Sequence, residues 1–131
     1  MLKVVLDTNI LVSSILSSGP PAAIADLVAD GKIFPFYSNL ILQEYYDVLS
    51  RKKFGFNFFQ ISRLLDDIVS AGSPVEDKPF KKNTKVHEDD QIFYNAAATA
   101  NAYLITGNIR HFPTEPFIVL PAKFLAIYQG I

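Results

Sequence analysis

Residues 2–9 read LKVVLDTN: a short β-rich run that ends on a carboxylate, a hydroxyl and an amide. Apolar residues without alternation mark a strand buried on both faces, the habit of parallel sheets. Parallel strands need helical crossovers, and the chain supplies them. A helix is expected over Ile10–Leu16, stopping at Ser17-Ser18-Gly19, and Pro20-Pro21 open a second one through Ala29, closed by Gly31. Residues 32–37 (KIFPFY) have strand composition, but Pro35 lacks a ladder donor, which places this strand at a sheet edge or keeps it short. Ser38 or Asn39 caps a helix to about Ser50, with Leu42, Tyr45, Tyr46 and Leu49 at helical spacing. Phe58, Ile61, Leu64, Leu65 and Ile68 give residues 57–71 the same period, and residues 72–75 are expected to hold a short strand.

Residues 77–89 form the long polar stretch, rich in lysine and carboxylate. Beyond it a helix is expected from Asp90 to about Asn101, then a buried strand over residues 102–105, a turn at Thr106-Gly107-Asn108 with a helical turn after it, a last strand over 117–120, and a terminal helix over 121–128. Strands separated by helices imply right-handed crossovers and a three-layer α/β/α sandwich around a parallel sheet of four to five strands, Rossmann-like in class. A chain of 131 residues closes one core, so a single domain over 1–131 is expected.

Composition narrows the chemistry. Half of the residues are apolar and 19% charged, as in a globular protein. With no cysteine, a metal site must use oxygen or imidazole, and oxygen ligands suit Mg²⁺ or Mn²⁺. The formal net charge of -1 gives no long-range positive field, so a nucleic-acid partner would be held by local basic patches or through a bound cation. The opening residues lack a basic leader and a long apolar run, and no stretch approaches membrane-spanning length, so a cytoplasmic protein without a membrane partner is expected.

Ligands of open parallel sheets bind beyond the carboxyl ends of the strands. Asp7 stands at that edge after the first strand, although an Asp there also serves as a cap or turn residue. Glu44 falls about two helical turns after the second strand, where a solvent-facing role is equally ordinary. Glu88, Asp89 and Asp90 crowd a helix start; capping explains one or two of them, and a cation is the natural partner for the excess. Asp90 lies at i-3 and i-4 from Phe93 and Tyr94, on the arc shared with Ala97 and Ala98, whereas Asp89 points about 100° away. Asn108 reaches the edge after the late strand, either as a weak ligand or as a left-handed turn residue. His87 and His111 read as separate histidines without zinc-site spacing, in surface or supporting roles.

Together these residues resemble the PIN-domain family, in particular its small bacterial and archaeal toxin components of toxin–antitoxin systems. The likeness spans nearly the whole chain and rests on VVLDTNILVSSIL (4–16), SNLILQEYYDVLSRKKF (38–54), EDDQIFYNAAATANAYLITGN (88–108) and IVLPAKFL (118–125). The resemblance implies three or four acidic side chains at the sheet edge that bind one or two Mg²⁺ or Mn²⁺ ions and hydrolyse single-stranded RNA. Residue by residue it implies Asp7, Glu44 and Asp90 as catalytic metal ligands, Thr8 and Asn9 as supporting groups, and Thr106 as a brace. The family's fourth acid follows the T-G dipeptide or lies three positions later; here those places hold Asn108 and His111. Asn108 carries no charge, leaving Asp89 or Glu115 as substitutes for the missing acid.

Two expectations follow. The first is metal-assisted phosphodiester hydrolysis, with Asp7 and Asp90 ligating directly, Glu44 directly or through water, and Asn108 orienting water or phosphate. Arg51, Lys52, Lys53, Lys81, Lys82, Lys85 and Arg110 flank these positions and suit an RNA backbone, with Phe54, Phe56 and Tyr37 as stacking candidates. The second is a catalytically impaired PIN module that binds RNA or protein, motivated by Asn108. A haloacid-type phosphatase would need D-x-D after the first strand, and residue 9 is Asn; a receiver domain would need a paired acid there too. The resemblance also implies a cognate antitoxin and a homodimer as partners.

Overall fold

The computed structural model of the protein describes residues 1–78 and 86–131. Its spine is a parallel five-stranded sheet: β1 (Lys3–Leu6), β2 (Phe34–Tyr37), β3 (Ser73–Pro74), β4 (Tyr103–Ile105) and β5 (Ile118–Val119), in the order β3-β2-β1-β4-β5. The helices are α1 (Thr8–Leu16), α2 (Pro20–Ala29), α3 (Asn39–Leu49), α4 (Phe58–Ala71), α5 (Gln91–Ala100) and α6 (Pro121–Gln129). From β1 to β3 the chain steps one way across the sheet, and the β3-to-β4 crossover steps back over it. Right-handed crossovers therefore put α1–α4 on one face and α5 on the other. The packing agrees: α5 covers β1, β2 and β4, whereas α4 lies on β2 and meets α2, which contacts α1 and α6. Val4, Val5 and Leu6 of β1 are buried, as a central strand covered on both faces requires.

The expected three layers and strand count are thus present, and several local expectations change. Pro35 lies in an inner strand, not at an edge. Phe34 N–H donates to Leu2 O on the β1 side, so its neighbour Pro35 turns its missing donor the other way, toward the level just before β3 pairing begins at Phe36 and Ser73. β2 stays short, as expected. On α3 the expected Tyr45 and Leu49 are buried together with Ile41 and the expected Leu42 is half-buried, whereas Tyr46, expected on the same face, is exposed, as is Leu40. Phe58, expected in the core face of α4, is also exposed. On α5 Ala96 and Ala97 are buried and Ala98 only half-buried. Ser38 caps α3 by accepting from Ile41 N–H, and Asn57 and Gln60 form a reciprocal capping box on α4.

Candidate metal centre

Strand order reverses between β1 and β4, because the chain leaves β1 toward β2 and returns to pair β4 on the other side; ligand sites of open sheets form at such a reversal. Leu6 pairs with Ile105, and Asp7 N–H continues the ladder by donating to Ile105 O at 3.0 Å. That register sets Asp7 beside Thr106. Thr106 Oγ1 donates to Asp7 Oδ2 at 2.7 Å and accepts from Asn108 N–H at 2.9 Å. Asn9 works the same junction: its Nδ2 donates to Asp7 Oδ2 at 3.1 Å, and its Oδ1 accepts from Gly107 N–H at 2.9 Å. Beneath, the buried Tyr45 hydroxyl donates to Leu6 O at 2.6 Å, anchoring α3 to the end of β1. One side chain of the first helical turn, Asn9, and one of the β4 turn, Thr106, thus hold a single carboxylate oxygen in place.

That carboxylate is 4% exposed, and Asp7 makes no side-chain cap bond to α1. Burial raises its pKa above the ordinary carboxylate value; the Thr106 hydrogen bond opposes this, and the charge of Asp90 adds to the rise. Among the described residues the ion pairs are Lys78–Glu76 and His111–Asp90, and neither compensates Asp7. Thr8 Oγ1, in the same turn, is buried without a hydrogen-bond partner. Glu44 is half-buried on α3; its pKa is raised by burial, with Asp47, Asp89 and Asp90 adding to the rise and Arg51 opposing it. Glu44 also lines an open groove of about 660 Å³ with Leu40, Gln43, Asp47 and Ile92.

The acids at 88–90 form a 3-10 turn leading into α5, and Asp90 at the α5 N-cap makes no capping side-chain bond. Its Oδ2 lies 3.0 Å from His111 Nδ1 instead. The charge of Asp90 thus bears on both Asp7 and Glu44, and that of Asp89 on Glu44. Asp89 is exposed, and so is Asn108. The latter has φ -113°, so it is not the left-handed residue; Asn101, with φ 53°, takes that conformation at the end of α5. Glu115 precedes Phe117, whose carbonyl accepts from Leu104 N–H, so it stands toward the amino edge of the sheet, away from Asp7.

Of the flanking basic residues, Arg51, Lys52, Lys53 and Arg110 are exposed, and Arg51 is close enough to Glu44 to lower its pKa. Lys81, Lys82 and Lys85 lie outside the described residues. Phe54 and Phe56 stack on each other at 5.3 Å with Lys53 Nζ over the Phe54 ring, whereas Tyr37 is buried and offers no stacking face.

The two histidines are not separate. Their rings stack at 4.3 Å, and together with Asp90 they form a group whose ligand atoms all lie within 4.8 Å of one another. Sequence reasoning missed this because their proximity depends on how the 3-10 turn Ile109–His111 folds back against residue 87.

Residues 3–110 match the family model of the PIN domain. No curated protein matches the chain. Among solved structures, the chain is similar to that of VapBC2 from Rickettsia felis bound to a DNA fragment from its promoter, at a TM-score of 0.57 and 22% identity over 91% of this chain and 97% of the other. At that identity the likeness bears on the fold. No single helix among the described residues is long and apolar enough to cross a membrane.

Proposed function

The chain belongs to the PIN-domain family, and from that premise we propose that it is a ribonuclease that uses Mg²⁺ or Mn²⁺ to hydrolyse single-stranded RNA, with Asp7, Glu44 and Asp90 as its catalytic ligands. The observation that carries this reading is Asp7: a buried carboxylate at the sheet reversal, fixed by Thr106 and Asn9 and uncompensated by any described lysine or arginine. Burying a charge without a counter-ion is costly, and an oxygen-rich pocket is the donor set a hard divalent cation takes. The partnerless hydroxyl of Thr8 fits the same pocket, since a hydrated ion or a phosphate would satisfy it.

When bound, the cation would neutralise charge developing on the phosphate and acidify a water for attack. The protein's own residues do the rest. Thr106 and Asn9 hold Asp7 in one rotamer, so ligation costs little reorganisation. Tyr45 pins α3, the helix that carries Glu44, to the end of β1. Asn108, held by the Thr106 hydroxyl, presents a neutral amide where an acid would add charge, suited to orienting water or phosphate. Arg51, Lys52, Lys53 and Arg110 bind the RNA backbone on either side.

The similarity to VapBC2 supports a further part of the proposal, that this chain is the toxin of a toxin–antitoxin pair. Purified protein with Mn²⁺ is expected to cleave single-stranded RNA, and Asp7→Asn to abolish cleavage. The exposed, uncharged Asn108 favours a second reading, an impaired module that binds RNA or protein. RNA binding without cleavage at any Mn²⁺ concentration, unchanged in Asp7→Asn, would replace the first reading by the second.

A further inference from the structure

The geometry points to a second metal site, built from His87, Asp90 and His111, that takes a borderline transition ion of the Zn²⁺ class in preference to Mg²⁺. Buried anchors hold its two arms: Val86 precedes His87 and Phe112 follows His111, each less than a tenth exposed. His87 N–H donates to His111 O at 3.3 Å, and Asp90 N–H donates to His87 O at 2.9 Å, so all three ligands are tied into one backbone unit. Their ligand atoms lie within 4.8 Å of one another, and the Asp90–His111 edge is already at 3.0 Å. Donor atoms about 2.0–2.2 Å from a tetrahedral ion sit about 3.5 Å apart, so closure needs side-chain movements of about 1 Å. The stacked rings, 17° from parallel, cannot aim both lone pairs at one point; the exposed His87 ring must tilt, and nothing buried has to move.

The chemistry of the donors sets the preference. Two imidazole nitrogens and one carboxylate leave open positions for water and suit late first-row ions, whereas Mg²⁺ favours oxygen and keeps its waters. Asp90 belongs to both sites, so an ion at the imidazoles shares a ligand with the proposed acidic pocket. The inference stands whether or not the chain cleaves RNA.

Zn²⁺ is titrated calorimetrically into metal-free protein, alone and in roughly hundredfold excess Mg²⁺. The expected result is binding that survives the Mg²⁺, falls at least roughly tenfold in His87→Gln and in His111→Gln, and persists in Asp7→Asn. Should either histidine variant fail to fold, as read by circular dichroism, Co²⁺ bound to the unaltered protein is examined by nitrogen hyperfine spectroscopy, where two imidazole couplings are expected. Displacement of Zn²⁺ by Mg²⁺, unchanged affinity in both folded histidine variants, or Co²⁺ without imidazole couplings would each overturn the site. Loss of cleavage in Asp7→Asn with Zn²⁺ binding intact separates this outcome from failure of the nuclease reading.

Discussion

The buried carboxylate of Asp7 costs the folded protein stability. Its folded-state pKa lies above the ordinary value of 3.8, so the folded protein holds this proton more tightly than the unfolded chain does. The ionised group therefore penalises folding above its folded-state pKa, and the penalty fades as pH falls through that value toward 3.8. Asp7→Asn is expected to stabilise metal-free protein by about 1 kcal/mol at neutral pH, with the gain shrinking on acidification, as measured by urea unfolding across pH. Mn²⁺ at about a hundred times its dissociation constant should stabilise the unaltered protein by about 2.7 kcal/mol and Asp7→Asn by far less. Equal metal stabilisation of both would remove Asp7 from the ligand set. Thr106→Val takes away a fully buried donor and the acceptor of Asn108 N–H, at a cost of about 1–2 kcal/mol in the same assay. Asp7 stood out in the sequence because a carboxylate ending an apolar run is visible in one dimension. The Thr106 bond and the paired histidines were not, since each joins segments that only the folded sheet edge brings together.

At the level of elements, the strands and helices followed from apolar runs, prolines and caps, and the errors fall where tertiary packing chose among nearly equivalent faces. The α3 residues Leu40 and Tyr46 are as apolar as its buried ones, but they line the groove beside Ile92 instead of the sheet. Nor does sequence reveal how closely two backbones approach. Gly72, at the end of α4, runs so near β2 that a Cβ there would sit 1.6 Å from Pro35 O. Its φ of -123° is ordinary, so contact and not conformation demands the glycine. Gly72→Ala must push β3 off β2 and is expected to cost about 2–4 kcal/mol by urea unfolding. By contrast, Asn57→Ala removes only the exposed capping box of α4, at about 1 kcal/mol. A Gly72→Ala loss no larger than that of Asn57→Ala would mean the β2–β3 pairing contributes little.

For the whole molecule, a net charge of -1 gives no long-range pull on a polyanion, so under the proposed ribonuclease reading backbone binding would come from the exposed cations Arg51, Lys52, Lys53 and Arg110. Arg51, Lys52 and Lys53 follow α3 and Arg110 follows β4, which places them on the two chain segments that also carry Glu44 and Asn108. Each phosphate neutralised on a single strand contributes about -0.7 to the slope of log affinity against log salt. Four such contacts predict a slope of about -3 for RNA bound to Asp7→Asn, whose use keeps the substrate intact during a filter-binding titration. Replacing Arg51, Lys52 and Lys53 together by alanine should flatten the slope by about 2 and weaken binding nearly equally across RNA sequences, because phosphate contacts carry no base information. Arg51→Ala alone has a second effect, since its charge opposes the rise in the Glu44 pKa. Without it Glu44 holds its proton more tightly, and metal affinity should fall more at mildly acidic than at mildly alkaline pH. A triple variant with an unaltered salt slope would move the RNA path off this face of the protein, while the pH dependence of metal binding in Arg51→Ala would still report on Glu44 as a ligand.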